Sequence, residues 1–134
     1  MIEIDSGNPV EVMDITSSVQ EALRESKVIN GICLVYTLHT TTGLTVNEAD
    51  PALIKDILNL LERVAPQGAG YLHDRSDGNA HAHLRAALLG SSVVIPVEQK
   101  RLVLGTWQRI LFFELDGPRR RKVYIKAIPD GDIQ

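Results

Sequence analysis

The chain opens on an alternation of apolar and acidic positions, Met1-Ile2-Glu3-Ile4-Asp5, the period of a half-buried strand. Asn8-Pro9 breaks the pattern, and Val10 to Met13 reads as an extension of the same strand. A helix follows to about Ser26: Thr16 or Ser18 can cap it, Ser18 and Glu21 have capping-box spacing, and Val19, Ala22 and Leu23 form its buried stripe. After Asn30-Gly31, the run Ile32 to Leu38 is apolar on both alternating sets, which predicts a central strand covered on both faces. His39 stands at its end. Thr40-Thr41-Thr42-Gly43 then turns the chain into a short strand, Leu44 to Glu48, and a hairpin between the two brings Asn47 and Glu48 close to His39.

Asp50-Pro51 is a strong helix start, a capping carboxylate followed by proline where its missing N–H does no harm. Leu53, Ile54, Ile57, Leu58, Leu61 and Val64 recur at helical spacing until Pro66. Gln67-Gly68-Ala69-Gly70 leads into a turn at Asp77-Gly78-Asn79, where Asn79 can cap a helix from Ala80 to Gly90 with Leu84 and Leu88 one turn apart. The last third reads as β: Val93 to Val97, with Pro96 marking an edge or bulge; a turn at Glu98 to Arg101; and Leu102 to Leu104 returning to a kink at Gly105. Thr106 to Leu115 is apolar on both faces. Asp116-Gly117-Pro118 turns the chain into a final strand, Lys122 to Ile128, and a loose tail runs from Pro129 to Gln134. No repeat, low-complexity tract or second domain breaks this order, so one domain spans residues 1–134.

Composition narrows the function classes. The 44% hydrophobic content supports a core, and no apolar run approaches the ~18 residues of a membrane span. The start of the chain lacks the form of a signal peptide, so the expected compartment is the cytoplasm. A net charge of −3 argues against nucleic acid as partner, because that affinity comes from basic side chains neutralising phosphates. Cys33 lies inside an apolar strand, which fits a reduced, buried and inert thiol.

The candidate chemistry is histidine-centred. Three of the chain's four histidines, His73, His81 and His83, surround the turn that opens the last helix. Residues two apart on a helix point to nearly opposite sides, so His83 rather than His81 is expected to face His39. One use is a metal site formed by His39, His73 and His83, with zinc the default among divalent metals because neutral imidazole suits it. The competing use is general acid or base catalysis by His39 or His73, with Glu48 or Asp77 orienting the ring. Free N–H groups at the helix start near Asn79 favour an anion such as phosphate. Gln108 and Arg109 interrupt an apolar strand and need partners, in the core, across a subunit boundary or in a ligand. Asn47, Asp77, Asn79, Gln108 and Arg109 are therefore the candidate ligand-holding residues. Trp107 is expected to pack in the core or a subunit contact. The run Arg119-Arg120-Arg121-Lys122 reads as a solvated turn, with a smaller part in receiving a phosphorylated substrate.

Several segments together resemble the YjbQ-like family, whose members are often labelled secondary thiamine-phosphate synthase enzymes. They are His39-Thr40-Thr41 before Asn47-Glu48, Tyr71 with His73, and Asp77-Gly78-Asn79-Ala80 through His83-Leu84; then Ser92 to Pro96 leading into Leu104-Gly105-Thr106-Trp107-Gln108, and Asp116-Gly117-Pro118. The likeness runs from about Asp14 to Ile128. It implies an α+β fold, a two-sheet β-sandwich with about three helices, assembled as a homotrimer with a cleft near the subunit boundary that gathers the His39, His73 and His83 positions. Small size agrees with the trimer, since few helices are available to cover both sheets. The activity implied is weak: joining a pyrimidine pyrophosphate to a thiazole phosphate with loss of pyrophosphate, magnesium accompanying the pyrophosphate. The alternative is a non-catalytic trimeric module that binds a metal or a phosphorylated metabolite. Two features depart from the family pattern. His81 does not carry over as a site residue, and the turn Glu98-Gln99-Lys100-Arg101 lacks the Asn-Gly that accepts positive φ cheaply.

Overall fold

The computed structural model describes residues 1–131. Of the expected tail, residues 132–134 lie outside the described residues. In chain order the elements are β1 (Ile2–Asp5), β2 (Glu11–Asp14), α1 (Thr16–Ser26), β3 (Gly31–Thr37), β4 (Thr42–Asn47), α2 (Pro51–Val64), a single 3-10 turn (Leu72–Arg75), α3 (Ala80–Leu89), β5 (Ser92–Glu98), β6 (Arg101–Leu102), β7 (Arg109–Glu114) and β8 (Arg120–Pro129). The strands form a five-stranded sheet, ordered β1-β8-β3-β5-β6, and a three-stranded sheet, ordered β2-β7-β4. Every pairing is antiparallel. This is the α+β two-sheet architecture expected from the sequence.

Two expected continuities are broken. The segment after Asn8-Pro9 does not extend the first strand: β1 pairs with β8, whereas β2 pairs with β7 in the other sheet. Likewise β3 and β4 are not a hairpin. They belong to different sheets, and the chain crosses between them at Thr40-Thr41. β4 therefore carries Asn47 to the end of the small sheet where it faces Arg109, and Glu48 follows it there.

One core fills the space between the sheets. Cys33, Val35, Ile95, Val97 and Val123 of the large sheet meet Leu44, Ile110 and Phe112 of the small one, and α1 inserts Val19 and Leu23. A second core lies on the other face of the small sheet, where Leu111, Phe113 and Leu115 pack against Leu61 of α2 and Ala82 and Ala86 of α3. From Ile110 onward β7 is thus buried on both faces, as its double apolar pattern predicts. Each of the two phenylalanines contributes about 1.5–3 kcal/mol relative to exposure. Thr106 to Gln108 stand outside the strand, and Trp107 is 70% exposed rather than packed in the core. β3 also departs from expectation. Its Cys33, Val35 and Thr37 are buried, but Ile32 and Tyr36 on the opposite face stay exposed, as do Val94, Tyr124 and Ile128 beside them.

Local chemistry sets the helix ends. Asp50 caps α2, accepting from Leu53 N–H at 2.9 Å. At α1 the capping group is neither Thr16 nor Ser18: Asp14 accepts both the N–H and the hydroxyl of Thr16, at 3.0 and 2.6 Å. α3 buries Ala80, Ala82, Ala86 and Arg85, not the Leu84 and Leu88 stripe, which remains exposed. The helix lies close to β4: a Cβ on Gly43 would lie 2.7 Å from the Leu89 side chain, so the strand has no room for a side chain there. At the β5–β6 turn, Gln99 and Lys100 both hold positive φ without an Asn-Gly pair. Their N–H groups are anchored by Asn30 Oδ1 and Ile29 O, at 3.1 and 2.8 Å, which holds the conformation from outside the hairpin.

Candidate functional site

The crossing between the sheets opens onto two adjoining clefts. One, of about 480 Å³, is lined by Thr37, His39, Thr42, His83 and Ser91 among others. The second, of about 380 Å³, is lined by Thr40, Thr41, Asp77, Asn79, Asp116, Arg119 and Arg121. Leu38, His39, Thr40 and His83 line both.

His39 emerges where β3 stops pairing with β8. Its Nε2 accepts the backbone N–H of Lys122 at 2.8 Å, taking the place that a strand carbonyl would fill. An accepting Nε2 carries no proton, so the neutral ring holds its proton on Nδ1. Burial lowers the His39 pKa below its ordinary value, and Arg121 pushes it the same way, against an opposing pull from Glu114. His39 is therefore a neutral ring with one N–H left to donate. It is not a free general base, because the basic nitrogen is already occupied.

His73 belongs to the 3-10 turn and meets His83 edge to face, with ring centroids 4.8 Å apart and planes at 82°. Its Nε2 lies 3.0 Å from Asn79 Oδ1 and 3.6 Å from Asp77 Oδ2. Among the described residues the His83 ring makes no hydrogen bond, and it lines both clefts, so both of its ring nitrogens are uncommitted. His81 faces elsewhere. Its Nδ1 is buried without a partner, and its pKa is lowered by burial and by Arg85.

Three imidazoles holding a metal do not fit this arrangement. The lone pair of His39 Nε2 is engaged by the Lys122 N–H, which leaves that neutral ring no lone pair for a metal. Among the described residues no group of three His, Cys, Asp or Glu is placed to hold a metal ion. The anion expected at the start of α3 is also already present. Asp74 accepts the Ala80 N–H at 3.0 Å, while Ala82 and His83 N–H groups bond to Asn79 O.

The remaining candidates divide by position. Asp77 and Asn79 line the second cleft. Asn47 and Glu48 lie at the far end of β4, away from His39. Gln108 closes its own turn, its Oε1 accepting Gly105 N–H at 2.8 Å, and Arg109 pairs with Asp14 at 2.7 Å. Cys33 is buried with its thiol pushed up to about 11 by burial, which removes a thiolate nucleophile.

Comparison with known proteins places this geometry. A family model described as UPF0047 protein YjbQ-like matches residues 1–130. The chain belongs to the YjbQ (UPF0047) family. It is 53% identical over 127 residues to a UPF0047 protein of Archaeoglobus fulgidus, covering 95% of this chain and 98% of that one. To the UPF0047 protein YugU of Bacillus subtilis it is 42% identical over 128 residues, covering 95% and 96%. A solved YbjQ-like protein of unknown function from Sulfolobus solfataricus is similar at a TM-score of 0.93 and 37% identity, covering 96% of this chain and 94% of that one. These relatives establish the family and the fold, and no activity comes with them.

What the histidine pattern alone misses in this YjbQ-family chain is the ion pair beneath the cleft. Arg121 of β8 and Glu114 of β7 are both buried and join the two sheets, Arg121 Nε donating to Glu114 Oε1 at 2.9 Å. Ser6 Oγ and Asp116 N–H donate to the same carboxylate at 2.6 and 3.1 Å, and Arg121 Nη2 reaches Thr41 Oγ1 at 2.9 Å. Burial alone would raise the Glu114 pKa, but the bonds from Arg121, Ser6 and the Asp116 backbone hold it below the usual carboxylate range. Arg119 leans on Asp116, with its Nη2 3.2 Å from Oδ2. The sequence does carry a signal: Glu114 closes a buried apolar strand, and an acid there requires a cation.

The lowered pKa values of His39 and His81 fix the sign of one pH effect. Folding favours the neutral rings, so stability is fully present above ~6.5 and is lost as pH falls, because the unfolded chain takes up protons first. Urea unfolding at a series of pH values between about 7 and 5 should show a steep loss for the native protein and a shallower one for a His39→Gln, His81→Gln variant. Equal slopes would place the effect elsewhere.

Proposed function

We propose that the His39–His83 cleft binds a small phosphorylated or pyrophosphorylated metabolite and carries the weak thiamine-phosphate synthase activity that the family resemblance implies. One observation carries this reading: a neutral His39 with a donor N–H, an uncommitted His83 and the Arg119 guanidinium line the same open cleft. Arg119 is balanced by Asp116 and Arg121 by Glu114, and Asp77 adds a further acid. A nearly balanced cleft suits a magnesium-complexed pyrophosphate better than a bare polyanion, which Asp77 would repel.

In this reaction the thiazole nitrogen attacks the pyrimidine's methylene carbon, a C–N bond forms, and the C–O bond to pyrophosphate breaks with its electron pair leaving on oxygen. No proton is released from the bond-forming atoms, so a strong base is not required. Stabilising the leaving group is. His39 Nδ1–H and Arg119 supply donors there, and His83 can hold or give a proton as the pyrophosphate departs. Glu48 has no part in this scheme because β4 carries it to the far end of the small sheet.

Given the pyrimidine pyrophosphate, the thiazole phosphate and magnesium, the purified protein should release pyrophosphate at a slow but measurable rate. A His39→Ala, His83→Ala variant should lose about 100-fold or more of it. Equal rates would overturn the enzymatic reading and favour a non-catalytic module that binds a phosphorylated metabolite.

The same reading includes a homotrimer. Ile32, Tyr36, Val94, Tyr124 and Ile128 leave the outer face of the large sheet apolar and open, and a neighbouring subunit would cover it. Light scattering at micromolar concentration should return the mass of three chains, and a clean monomer mass would sink this assembly.

A further inference from the structure

We propose that Asn79 is a positioning residue that fixes the His73 tautomer and the seat of His83, and so ties the histidine pair to Arg119; its catalytic consequence rests on the function proposed above. The two ends of the Asn79 amide are distinguished by Asp116. Asn79 Nδ2 lies 3.0 Å from Asp116 Oδ2, an oxygen that also accepts from Arg119 Nη2. A carboxylate only accepts, so the NH₂ end must face it. The Oδ1 end then faces His73 Nε2 at 3.0 Å, and that nitrogen must carry the proton. A continuous line of contacts follows, from Arg119 through Asp116 and Asn79 to His73, whose ring packs edge to face on His83. Asp77 lies 3.6 Å from the same His73 nitrogen, too far for a hydrogen bond, and adds only its charge.

A plain capping role does not explain this side chain. An Asn before a helix normally accepts an N–H of the first turn. Here Asn79 makes no side-chain cap, and Asp74 takes the Ala80 N–H instead. The Asn79 side chain is thereby left for His73 and Asp116. Its main-chain oxygen meanwhile accepts from Ala82 and His83 N–H at 3.0 and 3.4 Å. One residue therefore fixes His83 through the backbone and His73 through the amide.

The test uses three variants: Asn79→Ala, Asn79→Asp, and Asn79→Asp combined with Asp116→Asn. The first removes the link, and the second sets two carboxylates against each other. The double variant restores a donor facing an acceptor and leaves an acceptor for His73, so it guards against a single replacement that merely disturbs folding. The activity-independent readout is the His73 tautomer, from two-bond proton–nitrogen correlations at about pH 8, where an ordinary imidazole is neutral. The native protein should show the Nε2–H form alone. Asn79→Ala should show a mixture of both forms, and the double variant should return to Nε2–H. For pyrophosphate release, kcat should fall about 10- to 100-fold in each single variant, with the KM for thiazole phosphate little changed, and most of the loss should be recovered in the double variant. A native His73 in the Nδ1–H form, or a tautomer unchanged by Asn79→Ala, would overturn the proposal whatever the rates. The expected tautomer changes in a protein without turnover would uphold the role of Asn79 and count against the proposed activity alone.

Discussion

The buried pair of Arg121 and Glu114 is the constraint on which the rest of the structure depends. Glu114 lies on the small sheet and Arg121 on the large one, so their bond closes the sandwich where the chain crosses between sheets. Removing two charges from water costs several kcal/mol per ion, and attraction offsets that only when the remaining lone pairs and protons are satisfied. Here they are. Ser6 from the end of β1 and the Asp116 backbone complete the carboxylate, and Thr41 takes a further guanidinium proton. A cluster this well satisfied tolerates little displacement.

The cleft inherits its geometry from that clamp. Thr41 is one of its partners, and Leu115 N–H also bonds to Thr41 O at 3.1 Å, so the crossing loop is tied to β8 through the Thr41 side chain and to the end of β7 through its backbone. Two positions earlier His39 docks on the Lys122 backbone, next to Arg121 in the chain. Burial with a cation nearby keeps the imidazole neutral. The first four residues after β3 thus convert a structural ion pair into a site with a defined tautomer. His83 arrives independently on α3, held close by the absence of a side chain at Gly43.

Much of this was legible in the sequence. Asp50-Pro51 announced α2, and the doubly apolar run before Leu115 announced the central strand of the small sheet. Other features were not, for identifiable reasons. Periodicity describes which faces are apolar but not which partner a strand finds, so β1 and β2 read as one strand and β3 and β4 as a hairpin, although each pair is split between sheets. That one error carried Asn47 and Glu48 toward His39. On α3 the spacing of Leu84 and Leu88 indicated the wrong face: Ala82, Arg85 and Ala86 are buried instead, and Leu89 lies over Gly43. Histidine count suggested metal ligation, yet the Lys122 N–H already takes the lone pair of His39. Among the basic run, Arg121 was legible only from alternation with buried Val123.

Unfolding of Glu114→Ala in urea, beside the native protein at neutral pH, tests the role of the clamp most directly. Leaving the Arg121 guanidinium buried without its carboxylate should remove about 3–5 kcal/mol of stability. A loss below about 1 kcal/mol, the range of an exposed surface pair, would contradict the account.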